Sequence, residues 1–331
     1  MFFSLSLISV KRRQSYPLLA KQVIRSREDS DPKSQTSKKL ARKGSKERLK
    51  KPQKRGRPKG TKNKDKVKLD LSAYLCFVKT LVLQVLSLTG PLLALKYLVL
   101  DGAYGHNDVM PLASQVKLAL ISKLKSNSAL YFPYAGAQKA RGAKRLYGDR
   151  LKVHAIPSEY LQSSSISKHI QTDSYQMSLR HKSFPERLNV VIIVKTNLKT
   201  QARAHVVLFS ADLALVYDKL IDYYALRFQI EFNFRDAKQF WGLEDFMSVK
   251  QVPIHNAANL SLFMVNVSKV LIQTRQQLTP NPDFSVLDLK AHSRAFRYAA
   301  EALKLLPLKP DPFLINLFFA DFPKLGAIRR L

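Results

Sequence analysis

Two carboxylates stand where they could do chemistry. Asp101 closes the run "LKYLVLDGAY": residues 95–100 are continuously apolar, as in a buried strand, and an Asp-Gly at the carboxyl end of such a strand is where α/β sheets present functional groups. A capping or turn aspartate is the competing reading, and the local sequence alone favours it. Glu231 lies in "YALRFQIEFNFRDAKQFWGLED", residues 224–245, whose spacing predicts one amphipathic helix. At 100° per residue Tyr224, Arg227, Glu231, Arg235 and Lys238 share a charged arc, while Tyr223, Leu226, Ile230, Phe234 and Ala237 share an apolar one. Phosphodiester cleavage without a nucleophilic side chain needs divalent cations on the attacking and leaving oxygens, and hard cations want carboxylates. The cations and the tyrosine hydroxyl could hold a phosphate beside a metal-bound Glu231. A solvated network of i,i+4 ion pairs is the plainer reading of the same face.

The chain has 331 residues, 46% of them hydrophobic, enough for one large domain or two smaller ones. Lys and Arg number 56 against 24 Asp and Glu, a formal net charge of +32 that calls for a polyanionic partner. Nucleic acid comes first and an anionic membrane surface second. The charge is uneven: residues 1–70 carry 23 basic and 6 acidic side chains. The single cysteine, Cys76, sits in an apolar helical run and excludes a disulfide framework or a cysteine metal site; a buried structural thiol in a reducing compartment is expected. "MFFSLSLISVKRR" lacks the basic start and the cleavage site of a signal peptide and reads as a strand. The apolar zone from Tyr74 is broken by Lys79, Gln84, Gly90-Pro91 and Lys96, too often for a bilayer span, so a soluble protein without membrane contact is expected.

These elements must position the carboxylates. Residues 1–24 form two strands joined by "KRRQ", and 25–70 is a lysine-rich arm without core residues. Within the arm, "KRGRPKG" presents Arg55-Gly56-Arg57-Pro58, which resembles an AT-hook, with Arg55 and Arg57 entering a narrow minor groove; a nonspecific polybasic loop fits as well, and both contact DNA. Residues 71–125 read as helix, strand, helix, strand. Residues 126–210 read as a β-rich insertion and its flanks, closing on a hairpin at 188–210. The segment 211–250 holds the charged helix, and 251–331 is helical, punctuated by Pro280, Pro282, Pro307 and Pro310. His106 is expected to cap or turn, and Phe240 and Trp241 to be core.

Tyr224, Arg227, Glu231 and Lys238 fit the Y-x2-R-x3-E-x6-K signature of insertion-sequence transposases of the IS-four family, and "LDGAY" resembles that family's Asp-Gly segment. The resemblance implies an RNase H-like α/β core with a β-rich insertion and a helical C-terminal part. It further implies three acidic residues holding two Mg2+ (or Mn2+) ions, with Asp101 second and Glu231 third. Tyr224, Arg227 and Lys238 would then contact phosphates of the transposon end. In such folds the first Asp lies on the first core strand. Here the chain opens on what reads as the second strand, and Glu28, Asp29, Asp31, Glu47, Asp65 and Asp70 all fall in polar loop or at a helix start.

The expectation is therefore a DNA transposase chain without its first strand and first catalytic Asp. It would bind terminal inverted repeats and target DNA as a homodimer, in the bacterial cytoplasm at the nucleoid, without cutting. The alternative is a non-enzymatic DNA-binding remnant or inhibitor subunit. A purely architectural DNA binder would leave the 224–238 pattern unexplained.

Overall fold

The structure, a computed structural model, describes residues 2–23, 69–278, 284–307 and 311–325. The basic arm, with Arg55 and Arg57, lies outside these residues apart from its last two positions. The described chain divides into two compact units. One runs from Gln22 to Arg227 with the first two residues; the other joins Phe3–Lys21 to the segment from Phe228 onward.

The first unit is built on a mixed eight-stranded sheet. Helix α1 (Ala73–Thr89) starts at Ser72, whose hydroxyl accepts from the Leu75 N–H at 3.3 Å, a serine N-cap. Strand β3 (Tyr97–Val99) leads through two 3-10 turns into the short α2 (Met110–Gln115) and then β4 (Ala119–Leu124). β3 and β4 pair in parallel, Tyr97 opposite Ala119 and Val99 opposite Ile121. The β-rich region follows as β5 (Leu130–Pro133), β6 (Tyr147–Arg150), β7 (Leu161–Ser167), β8 (Ile170–His181), β9 (Arg187–Asn197) and β10 (Arg203–Ser210). The sheet order is β3-β4-β10-β9-β8-β5-β6, with β7 also on β8, and every pair beyond β3–β4 is antiparallel. β9 is buried on both faces from Leu188 to Ile192, the signature of a central strand covered on each side. Helix α3 (Tyr217–Leu226) covers one of those faces. Leu215 and Leu220 pack there with Ile121, Val191 and Leu208.

The second unit holds the hairpin β1 (Phe2–Ser9) and β2 (Gln14–Gln22), a two-stranded sheet of its own. Its helices are α4 (Gln229–Trp241), α5 (Gln251–Leu278), α6 (Val286–Lys304) and α7 (Pro312–Leu325). One edge of β2 is satisfied by side chains. Asn259 on α5 accepts from the Ala20 N–H at 3.1 Å and donates to the Ala20 carbonyl at 3.0 Å, as a neighbouring strand would. Asn266 and Lys269 continue the ladder, donating to the carbonyls of Pro17 and Ser15 at 2.7 Å each. Lys269 Nζ also reaches Asn233 Oδ1 at 2.6 Å, and Asn233 donates to Ser15 Oγ at 2.9 Å. Burial lowers the Lys269 pKa, partly countered by the charge of Asp236. Helix α6 opens with a reciprocal capping box between Ser285 and Asp288.

This is a mixed α/β architecture with a β-rich region and a helical C-terminal part, consistent with an RNase H-like core. Among the described residues no helix is long and apolar enough to cross a membrane. Two local expectations change. The stretch 224–245 is two helices: α3 ends at Leu226 and α4 begins at Gln229, because the hydrogen bonding tightens to i−3. The Arg227 N–H goes to the Tyr224 carbonyl (3.2 Å) and the Glu231 N–H to the Phe228 carbonyl (3.0 Å), a one-turn 3-10 interruption that ends the α ladder. Cys76 is exposed, since the buried face of α1 is carried by Leu75, Val78, Leu81 and Val82 instead.

Candidate functional site

Asp101 sits just past β3, held from both sides. The Leu100 N–H donates to the Ile121 carbonyl at 3.0 Å, and the fully buried Ser122 hydroxyl donates to the Asp101 carbonyl at 2.9 Å. The side chain is the N-cap of the 3-10 turn Gly102–Tyr104, with Oδ1 accepting from the Gly102 N–H at 2.7 Å. The capping role favoured by local sequence is therefore real, and it occupies only one carboxylate oxygen. The turn lies so close to β4 that a Cβ on Gly105 would stand 2.0 Å from the Lys123 carbonyl oxygen; only glycine fits.

Helix α3 brings two more groups to this strand end. Leu220, Tyr223, Tyr224 and Arg227 follow at i, i+3, i+4 and i+7, the stripe of one helix face. Tyr223 packs on the Tyr97 ring of β3 (centroids 5.4 Å apart), and one turn later Arg227 Nη2 lies 3.6 Å from Asp101 Oδ1. That distance makes an ion pair without a hydrogen bond, so guanidinium donors are free to turn to another oxygen. The Arg227 guanidinium also stands 5.6 Å from the centre of the Tyr224 ring, and its Nε is buried without an acceptor among the described residues. The Asp101 side chain is 58% exposed and that of Arg227 25%.

The start of α3 is fixed separately. Asp212 Oδ2 accepts from Tyr97 Oη at 2.9 Å and pairs with Lys96 Nζ at 3.1 Å. The buried Asn189 donates to the carbonyls of Asp212 (3.0 Å) and Leu215 (2.6 Å), and Gln176 supports Asn189 at 2.9 Å. Burial pulls the Asp212 pKa upward, but the bonds from Lys96 and Tyr97 outweigh it and leave the carboxyl below its ordinary value.

Two phenols complete the surroundings. Burial raises the Tyr224 pKa, helped by the Asp101 charge and opposed by Arg227 and a hydrogen bond with the Gly102 backbone. Tyr104 is pushed up by burial, by its 2.7 Å hydrogen bond with Tyr74 and by the Asp101 charge. Both stay protonated at neutral pH and can donate. The site thus offers one carboxylate with an uncommitted oxygen, one guanidinium and two phenol donors, a set suited to an oxyanion held beside a hard cation. Its donor type fits Mg2+ or Mn2+. Among the described residues no three of His, Cys, Asp and Glu gather into one cluster.

Glu231 and Lys238 belong to the second unit. Glu231 is exposed in the first turn of α4 and, among the described residues, forms no ion pair. The expected network around it does not form: Arg235 pairs with Asp236 (3.0 Å) and stacks over Phe232, while Lys238 pairs with Glu244 beyond the left-handed cap Gly242 (φ 70°). Trp241 is half-buried rather than core, with Lys290 Nζ 5.1 Å above its ring. His106 stands at the N-cap of a 3-10 turn, yet its ring makes no cap bond and lies 3.8 Å from Asp108. Sequence reasoning missed Tyr74, Tyr104, Lys96 and Asp212. Tyr104, three residues after an N-cap Asp, carried a local signal; the other three have partners 30 to 116 positions away, which no spacing rule reaches.

A sequence profile of the DDE superfamily endonuclease family matches residues 2–183. The match includes Asp101 and stops short of Tyr224, Arg227, Glu231 and Lys238. A comparison with curated proteins found no match.

Proposed function

The chain belongs to the DDE superfamily endonucleases, and from that premise we propose that it is a DNA transposase of the IS-four group. In this reading it binds the terminal inverted repeats of its element and engages target DNA as a homodimer at the bacterial nucleoid, in the cytoplasm. Asp101 and Glu231 would hold Mg2+ or Mn2+, with Tyr224, Arg227 and Lys238 on phosphates of the end. When bound, such ions supply charge to the attacking and leaving oxygens of the phosphodiester. The residues themselves do the holding: Arg227 turns from Asp101 to a phosphate oxygen, and Tyr224 donates to a second. The arm with Arg55 and Arg57 adds contacts that do not read sequence. The observation that carries the reading is the 3.6 Å approach of Arg227 to Asp101, since it joins two motifs 126 positions apart that the resemblance assigns to one site.

The resemblance calls for three carboxylates, and only two are assigned here. Binding without cleavage is accordingly the proposed state of this chain taken alone, as a DNA-binding remnant or an inhibitor subunit would behave.

Iron-directed cleavage tests the site. Fe2+ replaces Mg2+ in oxygen-ligand sites, and with ascorbate and peroxide it cuts the backbone beside itself. Cuts are expected near both 101 and 231, competed by excess Mg2+ and lost in Asp101→Asn. Cutting near one position only would remove the other from the site.

A further inference from the structure

Within the second unit, α5 and α6 enclose a groove of about 480 Å3 that contains none of the residues assigned above. Met264, Val267, Leu271 and Leu289 give it apolar lining, and its α6 side adds cations. Lys290, Arg294 and Arg297 follow along α6 at i, i+4 and i+7, so three cations share one face over about 10 Å of helix at 1.5 Å per residue. Trp241 and Tyr298 supply two aromatic walls, and Tyr298 is 66% exposed.

The cations are poorly neutralised. Among the described residues Arg294 and Arg297 form no ion pair; Glu301, one turn beyond Arg297, pairs with Lys304 at 2.9 Å and feels the Arg297 charge only at longer range. Lys290 donates to the Phe240 carbonyl at 2.9 Å and lies over the Trp241 ring, which fixes that ring at the groove wall. The Trp241 Nε1 is buried without an acceptor among the described residues. A merely solvated helix face needs neither a concave shape nor aromatic walls.

We propose that this groove binds single-stranded DNA, with phosphates on Arg294 and Arg297 and bases against Trp241 and Tyr298. Aromatic platforms beside a cationic groove suit unpaired strands, whose bases are free to stack on protein. A duplex keeps its bases inside and offers such walls only its backbone. The proposal rests on the reading that DNA is the partner, but it needs no metal, no carboxylate and no cleavage. Failure of the Asp101 and Glu231 assignment would leave its test unaffected.

Trp241 is the only tryptophan in the chain, so emission follows one ring; that ring also borders a second pocket toward Phe246 and Ile254, and the arginine variants below assign quenching to this groove. Labelled oligothymidylate is titrated into the full-length protein, following probe anisotropy for total binding and tryptophan emission for occupancy of the groove. The expected result is saturable quenching by the single strand and not by the matching duplex. In Arg294→Ala/Arg297→Ala the quenching midpoint should rise about tenfold, and the slope of log affinity against log salt should fall by about 1.4, two phosphate contacts' worth. Both arginines are exposed, so circular dichroism should be unchanged. Tyr298→Ala, also at an exposed position, should weaken quenching as an independent check. Anisotropy that rises without any tryptophan response overturns the proposal, as does quenching that the arginine variant leaves intact or that the duplex reproduces.

Discussion

At the scale of residues, the site at the end of β3 turns on one contact that is close but not consummated. Arg227 and Asp101 face each other at 3.6 Å, too far for a hydrogen bond, while the Asp101 Oδ1 already accepts from Gly102. Arg227 is one of the groups holding the Tyr224 phenol pKa down against burial. Arg227→Ala should therefore move the Tyr224 pKa still higher, measurable as an alkaline shift of its ring carbon resonance. It should also weaken DNA-end binding about tenfold or more, as expected for a lost charge-assisted bond. Lys238→Ala should do less, because Lys238 is already paired with Glu244. An unchanged Tyr224 titration would show that the guanidinium does not sit where its 5.6 Å approach to the ring puts it. Gly105→Ala should collapse the same loop without touching a charged group, because its Cβ would meet the Lys123 carbonyl.

At the scale of elements, α3 is fastened at its start through Asp212 and at its end through Arg227, both to residues flanking β3. Asp212 titrates below its ordinary value of 3.8, so its contribution to stability is complete above about pH 4 and disappears as pH falls through the lowered folded value. Asp212→Asn should flatten the acid limb of the unfolding profile, followed by circular dichroism; an unaltered limb would assign acid lability elsewhere. In the second unit, Asn259→Ala would leave the N–H and carbonyl of Ala20 without their side-chain partner. A loss of about 2–3 kcal/mol in urea unfolding is expected from two backbone groups of the buried Ala20 deprived of bonds. These elements also show what the sequence could convey. The strand ending at Asp101, the hairpin of β9 and β10 and the long α5 were legible because runs and alternation of apolar residues are local. The break at Arg227 and Phe228 was not, since both residues keep helical dihedrals and only the hydrogen-bond partner changes. The clamp on α3 was invisible for another reason: Lys96, Tyr97, Asn189 and Asp212 are ordinary residues until the sheet brings them together.

At the scale of the whole molecule, under the proposed function the +32 charge divides between a region that only attracts DNA and groups that orient it. Between Lys33 and Lys68 there are 17 basic and 2 acidic residues, and such a polycation gains affinity by releasing counterions. Tyr224 and Arg227 project from a packed helix, and groups held by rigid elements set geometry. Deleting 33–68 should therefore lower affinity for any duplex and cut the salt slope, while the preference for an inverted repeat over unrelated DNA survives. Tyr224→Phe combined with Arg227→Ala should do the reverse, sparing most of the salt-dependent affinity and erasing the preference. Competition binding with both variants at two salt concentrations separates the terms. Loss of preference on removing the arm would transfer sequence reading to Arg55, Arg57 and their neighbours, and would leave the Asp101 site no part in recognising the end.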